Sequence, residues 1–261
     1  MPEQYQIFGR NGFLGSNMAA QLEHSRHEVI PGDRDGNVDP DADYIIDCQS
    51  YGNYHWQTDQ REIWKANVDN LVHMLESCGA IRGFLYLSSS SVLLDKQTVY
   101  STAKREGEGI CRTFAQEKPV VVMRPSSITG PGEQKEHLIP KLIESCLTGK
   151  EMPFVGGPTH DYVDVRDAAA AAIVLVGVAQ AEWGRALNVS SGRTVSNEEV
   201  LAIVEDYARS KANIKRVPKL REYDTKKWQV HNNEILKLGW RPQYSLEDSI
   251  EDMVSQFYPG V

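Results

Sequence analysis

The run Gly9-Arg-Asn-Gly12-Phe-Leu-Gly15 constrains this chain more than any other segment. It follows the apolar stretch Tyr5-Gln-Ile-Phe8 and opens a segment whose apolar residues keep helical spacing over 13–24. Glycines placed between a strand and a helix let the backbone turn tightly and come close to a diphosphate. The helix beyond them offers unpaired N–H groups and the positive end of its dipole. A second short strand, His27-Glu-Val-Ile30, comes next, with Asp33 about twenty residues beyond the turn, where a ribose-binding acid belongs. The glycines are spaced one residue wider at the start than in the most familiar fingerprint, so the argument rests on the order strand, turn, helix, strand and acid.

The rest of the chain continues the alternation. Asp43-Tyr-Ile-Ile-Asp-Cys48, Arg82-Gly-Phe-Leu-Tyr-Leu87 and Pro119-Val-Val-Val-Met123 each read as a strand buried on both faces. Helices are expected over 60–78 and 100–116. Strands alternating with helices predict right-handed crossovers and an α/β fold with a doubly wound parallel sheet. From Arg124 the texture changes, with Gly130-Pro-Gly132, Gly156-Gly-Pro158 and short helices over 138–148 and 197–210. A dinucleotide-binding domain is therefore expected over 1–124, with 165–190 returning to it through an alanine-rich helix and the strand Ala186-Leu-Asn-Val189. A smaller C-terminal substrate lobe is expected over 125–164 and 191–261.

A formal charge of −8 argues against a general affinity for nucleic acid or anionic membrane. No apolar run approaches the ~18 residues that cross a bilayer, and the first residues carry no basic and apolar leader pattern, so a cytoplasmic location is expected. Cys48, Cys78, Cys111 and Cys146 are scattered without close pairing and read as free thiols, implying neither a metal site nor a disulfide framework.

Tyr100 and Lys104, four residues apart, share one face of a helix, and Ser88-Ser-Ser-Ser91 lies just upstream at the end of a strand. A lysine beside a tyrosine favours the phenolate by its charge, which makes the pair a candidate proton shuttle.

Together these segments resemble the extended short-chain dehydrogenase/reductase family, in its NAD-dependent epimerase/dehydratase branch that acts on nucleotide sugars. Beyond the glycine turn the similar segments are Pro31-Gly-Asp33-Arg34, Asn67, Leu87-Ser-Ser-Ser-Ser-Val92, Tyr100-Ser-Thr-Ala-Lys104, Arg124-Pro-Ser-Ser-Ile-Thr-Gly-Pro-Gly132, His160-Asp-Tyr-Val-Asp-Val-Arg-Asp167 and Leu238-Gly-Trp-Arg-Pro. The resemblance implies a Rossmann-type sheet, NAD or NADP as cofactor, a nucleotide-sugar substrate and a homodimer. It implies Tyr100 and Lys104 as catalytic residues with Ser89, or next Ser90, as their hydroxyl partner. It puts Gly9, Asn11, Gly12, Phe13, Leu14, Gly15, Asp33, Arg34, Cys48, Gln49, Ser50, Asn67, Ser88, Tyr100, Lys104 and Pro125 against the cofactor. Serines, not an acid pair, follow Ser89, which disfavours water elimination and leaves epimerisation or reduction of a keto sugar.

Asp33 has a competing role as a turn residue in Gly32-Asp-Arg-Asp-Gly36, and Arg10 or Arg34 would reach the 2′-phosphate of NADP. Between Asp33 and Asp43 there is no room for the family's additional strand and helix, so Asn37 and Val38 are expected to close an abbreviated adenine pocket. The segment from Ser89 to Tyr100 is also short, and His160 stands where an arginine is common. A second reading follows from these departures: a cofactor-binding sensor or scaffold that has lost turnover. The loop carrying His55 and Trp56 is a candidate pocket wall, and Asp167 a candidate cap for the alanine-rich helix.

Overall fold

The structure is a computed structural model that describes residues 2–54, 56–218 and 227–257. In chain order its elements are β1 (Gln4–Phe8), α1 (Phe13–His24), β2 (Glu28–Pro31), β3 (Tyr44–Asp47), α2 (Gln60–Trp64), a π-helical segment (Lys65–Asp69), α3 (Asn70–Ser77), β4 (Gly83–Leu87) and a 3-10 turn (Ser90–Leu93). They continue with α4 (Val99–Phe114), β5 (Val120–Pro125), β6 (Ser127–Thr129), α5 (Leu138–Thr148), β7 (Met152–Phe154), β8 (Thr159–Asp164), α6 (Val165–Val176) and β9 (Ala186–Val189). The last are β10 (Thr194–Ser196), α7 (Asn197–Ala208), β11 (Ile214–Arg216), β12 (Lys227–Trp228), α8 (Asn233–Lys237) and α9 (Leu246–Phe257).

Six parallel strands in the order β2-β1-β3-β4-β5-β9 form the main sheet, with helices on both faces. The order reverses at β1, the switch point beside which open α/β sheets bind ligands at the carboxyl ends of their strands. Side chains alternate across the sheet. Phe8, Ile45, Phe84, Tyr86 and Val122 pack with Leu71, Met74 and Leu75 of α3 on one side, while Ile7, Ile46, Leu85 and Val121 are equally buried on the other. Burial on both faces explains why these strands read as unbroken apolar runs.

The chain divides into two compact units. The first comprises Met1–Pro125, Ala168–Val189 and Asn233–Trp240, and the second Ser126–Asp167, Ser190–Asn232 and Arg241–Val261. Residues 233–240, expected in the smaller lobe, thus belong to the sheet-bearing unit. The physical reason is apolar: Ile235 and Trp240 are buried there, α8 packs against β9, and Glu234 is ion-paired to Arg185 at 2.6 Å. In the second unit, β10, β8 and β12 form a small sheet joined by β6, and α5, α7 and α9 share one apolar core.

Asp167 does not cap α6. That helix starts earlier, and Asp164 accepts the N–H of Arg166 at 2.8 Å, while the Asp167 carboxylate receives the N–H groups of Gln243 and Tyr244. Among the described residues no helix is long and apolar enough to cross a membrane, and no cluster of His, Cys, Asp or Glu could hold a metal ion.

Candidate functional site

The glycine turn is built as a close approach of backbone to backbone. Gly9 has φ +81°, the left-handed region that favours glycine, and a Cβ there would lie 2.9 Å from the carbonyl oxygen of Cys48. A Cβ on Gly15 would lie 2.2 Å from the Gly9 oxygen, so α1 can start this close to β1 only with glycine at that position. The N-cap of α1 is Gly12, which supplies no side-chain cap, and the first turn carries no acid. The turn therefore presents uncapped helix amides behind a wall with no side chains, which fits the diphosphate of a dinucleotide. Asn11 and Gly12 are exposed on this turn, Phe13 is half-buried, and Leu14 is turned into the core.

Asp33 folds back on its own loop. Its Oδ1 accepts N–H groups from Asp35, Gly36 and Asn37 at 3.0, 2.8 and 3.0 Å, and its Oδ2 accepts the Asn37 side-chain amide at 2.6 Å. The Asn37 amide, with these backbone donors, holds the carboxyl below its usual range. The loop is stitched down further by Gln6, whose amide meets Asn37 O and Asp39 N, by Gln49 on Asp33 O, and by Asn70 on Arg34 O. These bonds replace the absent strand and helix. Val38 is half-buried and packs against the core cluster. Arg10 is committed to Glu23 of α1 at 2.6 Å, whereas Arg34 is exposed.

The second group of residues gathers at the carboxyl ends of β3 and β4. A capping box, Thr98 with Ser101, fixes the first turn of α4 and with it Tyr100. Gly52, with φ +100°, lets the loop after β3 turn against Tyr100, whose Cβ would be 3.3 Å from a Cβ at that glycine. Burial raises the pKa of Tyr100, and the neighbouring Ser50 and Ser89 hydroxyls pull it back down. Lys104 follows one turn further along α4. Its ammonium, 1% exposed, donates to the carbonyls of Gln49 at 3.2 Å and Leu87 at 2.7 Å and stands 4.8 Å above the Tyr86 ring. Desolvation brings Lys104 down to about 8, opposed chiefly by the charge of Asp47.

Of the four serines, Ser89 caps the 3-10 turn, accepting Ser91 N–H at 3.1 Å, and is the one that reaches Tyr100; Ser90 is buried. Ser88 points elsewhere, donating at 2.5 Å to Glu108, which also receives Nε of Arg124 at 2.7 Å. Cys48 donates its thiol to Phe8 O, Gln49 spends its side chain on the 33–37 loop and Asn70, and Pro125 ends β5. Asn67 sits in the π-helical segment, its amide shared between Tyr51 O and Ile63 O and its own carbonyl receiving the Tyr86 hydroxyl at 3.0 Å. His55 lies outside the described residues. Trp56 is exposed and stacks on Tyr54 with centroids 4.5 Å apart.

Sequence reasoning missed Asp47, Asn70 and Glu108. Asp47 and Glu108 had one visible signal, a charged residue at a position patterned for burial. Asn70 had none, because its two partners come from distant loops.

The fold and this grouping are those of a doubly wound α/β protein with a glycine-rich turn at its switch point and serine, tyrosine and lysine gathered at the strand ends. A sequence profile of the NAD dependent epimerase/dehydratase family matches residues 37–190, more than half of the chain, and the chain belongs to that family. The chain is 25% identical over 267 residues to the low-salt glycan biosynthesis protein Agl12 of Haloferax volcanii, covering 92% of this chain and 85% of that protein. Its fold is shared with MoeE5 in complex with UDP-glucose and NAD (TM-score 0.88, 18% identity, 98% and 99% of the two chains). It is shared also with UDP-glucose 4-epimerase of Thermotoga maritima with UDP-glucose (TM-score 0.87, 18% identity, 98% and 99%).

Proposed function

We propose that this enzyme carries out NAD(P)-dependent redox chemistry on a nucleotide sugar, as an epimerase or a keto-sugar reductase, with Tyr100, Lys104 and Ser89 as catalytic residues. The observation that carries the reading is the Tyr100 phenol, held at the start of α4 beside the Ser50 and Ser89 hydroxyls, with buried Lys104 one turn on. The solved UDP-glucose complexes with the same fold support a nucleotide sugar as the substrate class.

Tyr100, as phenolate, takes the proton of a sugar hydroxyl, and returns it when a keto group is reduced. Ser89 orients the reacting oxygen. Lys104 has one ammonium N–H beyond the two given to Gln49 and Leu87, and that donor would hold the nicotinamide ribose of a bound cofactor. When bound, the nicotinamide cofactor accepts or returns the hydride at the carbon bearing that hydroxyl. Gly9, Gly12 and Gly15 with the first turn of α1 would hold its diphosphate. Asp33, fixed as an anion, and Arg10, committed to Glu23, favour NAD over NADP. The second unit takes the substrate-binding role that the family resemblance implies for it. The same reading makes the enzyme a cytoplasmic homodimer.

The test is to denature the purified protein, assay the released nucleotide, and offer a panel of nucleotide sugars. Stoichiometric NAD with turnover of a UDP sugar is expected for an epimerase, and exchangeable NAD(P)H consumption for a reductase. An enzyme that neither binds a nicotinamide nucleotide nor turns over any nucleotide sugar overturns the reading.

A further inference from the structure

Asp47 ends β3 and has no part in the steps above. Its side chain is fully buried, one carboxylate oxygen accepts Gln49 N–H at 3.1 Å, and Oδ2 has no hydrogen-bond partner among the described residues. A buried carboxylate oxygen without a donor is costly and persists where an opposite charge compensates it. Lys104 on α4, itself 1% exposed, adjoins it through Gln49: the ammonium donates to the carbonyl of the residue whose N–H Asp47 accepts, and among the described residues it otherwise meets Leu87 O and the Tyr86 ring. Those partners carry partial charges, whereas a buried ammonium calls for a whole one.

The other titratable groups around the two are Cys48 on the same chain segment as Asp47, Tyr86 on β4, and Tyr100, Glu108 and Cys111 on α4. Burial pushes Cys48 up to about 12 and raises Tyr86 and Cys111 well above their usual values, so all three are neutral near pH 7. Glu108 is engaged by Arg124 and Ser88. Among the described residues, Asp47 is thus the acid of the group that has no ion pair of its own.

We propose that Asp47 is the counter-charge that keeps Lys104 an ammonium inside the site, a positioning residue that acts through Lys104. Burial raises Asp47 to about 6 and lowers Lys104 to about 8, which leaves both groups charged between those values. The role of Lys104 in catalysis rests on the function proposed above, but the coupling of the two charges does not.

The test is a double-mutant cycle on the protein without added cofactor or substrate: Asp47→Asn and Lys104→Met, alone and together, with melting temperature read at pH 7. Asp47→Asn is expected to lower Tm by ~4 °C or more in the wild type and to leave it unchanged or raised in the Lys104→Met background. An equal change in both backgrounds overturns the proposal. If Asp47→Asn alone does not fold, the double variant is expected to fold, and its failure also overturns it. A second readout concerns activity. The alkaline limb of kcat/KM, set by loss of the Lys104 proton, moves toward lower pH in Asp47→Asn, while a merely structural role lowers the rate without moving the limb. A cycle that shows coupling beside an inactive wild type would condemn the proposed function and not the counter-charge.

Discussion

Burial works against the phenolate of Tyr100, at the start of α4. The i, i+4 lysine was legible from spacing alone, because two residues one turn apart share a helix face wherever that helix packs. What the lysine does was not legible. Its ammonium is drawn to the carbonyls of Gln49 and Leu87, and the groups that offset burial at Tyr100 are the Ser50 and Ser89 hydroxyls. Those partners come from the ends of two strands, and no local pattern ranks four adjacent serines by which one faces the phenol. The sign of the Ser89 effect gives a prediction. Ser89→Ala removes a donor that lowers the Tyr100 pKa, so that pKa rises and the phenolate forms only at higher pH. The acid limb of the pH–rate profile then moves to higher pH, and kcat falls ~10- to 100-fold, the equivalent of the ~1.5–3 kcal/mol of a hydrogen bond to a charged group. A limb that stays in place while kcat falls assigns Ser89 a steric role only.

At the scale of elements, α1 and the strand runs were readable because their signals are local: a glycine turn, an apolar period, a cap. The helix over 60–78 was readable as a helix and not as its three parts. The π-helical segment between α2 and α3 arises where the Asn67 amide bonds Ile63 O and Tyr51 O and the Tyr86 hydroxyl takes Asn67 O. That contact ties the helix to a strand 19 residues further along the chain and has no footprint in periodicity. Tyr86 also dictates the closest packing of α4, since a Cβ on Gly107 would lie 2.4 Å from its hydroxyl oxygen. Gly107→Ala is therefore expected to destabilise the first unit by ~1–3 kcal/mol through overpacking, despite the better helix propensity of alanine. Urea denaturation checks it, and an unchanged or raised midpoint would show that Tyr86 moves aside freely.

For the whole molecule, a doubly wound parallel sheet was legible from alternation, and so was the missing strand between Asp33 and Asp43, because chain length alone forbids it. How the gap is filled was not legible. Asp33, expected as a ribose acid, gathers four donors from its own turn, while Gln6, Gln49 and Asn70 fasten the loop. A rigid anion there repels a 2′-phosphate, so the protein is expected to bind NAD ~10-fold or more tightly than NADP, a difference of about 1.4 kcal/mol. Calorimetric titration with each nucleotide measures it, and equal affinities would mean that Arg34 offsets the carboxylate. Segment 233–240 returned to the sheet-bearing unit for a reason that sequence order hides, the burial of Ile235 and Trp240 beside β9.

The claim on which the account turns is that Tyr100 moves the proton while the sugar carbon exchanges a hydride. It is tested most directly by mixing NAD-loaded protein with the nucleotide sugar that it turns over and following nicotinamide absorbance in a single turnover, for the wild type and for Tyr100→Phe. The wild type is expected to show the rise and decay of reduced cofactor, or its consumption in the reductive direction, and Tyr100→Phe to slow that step ~100-fold or more. Equal rates in the two proteins would contradict the account.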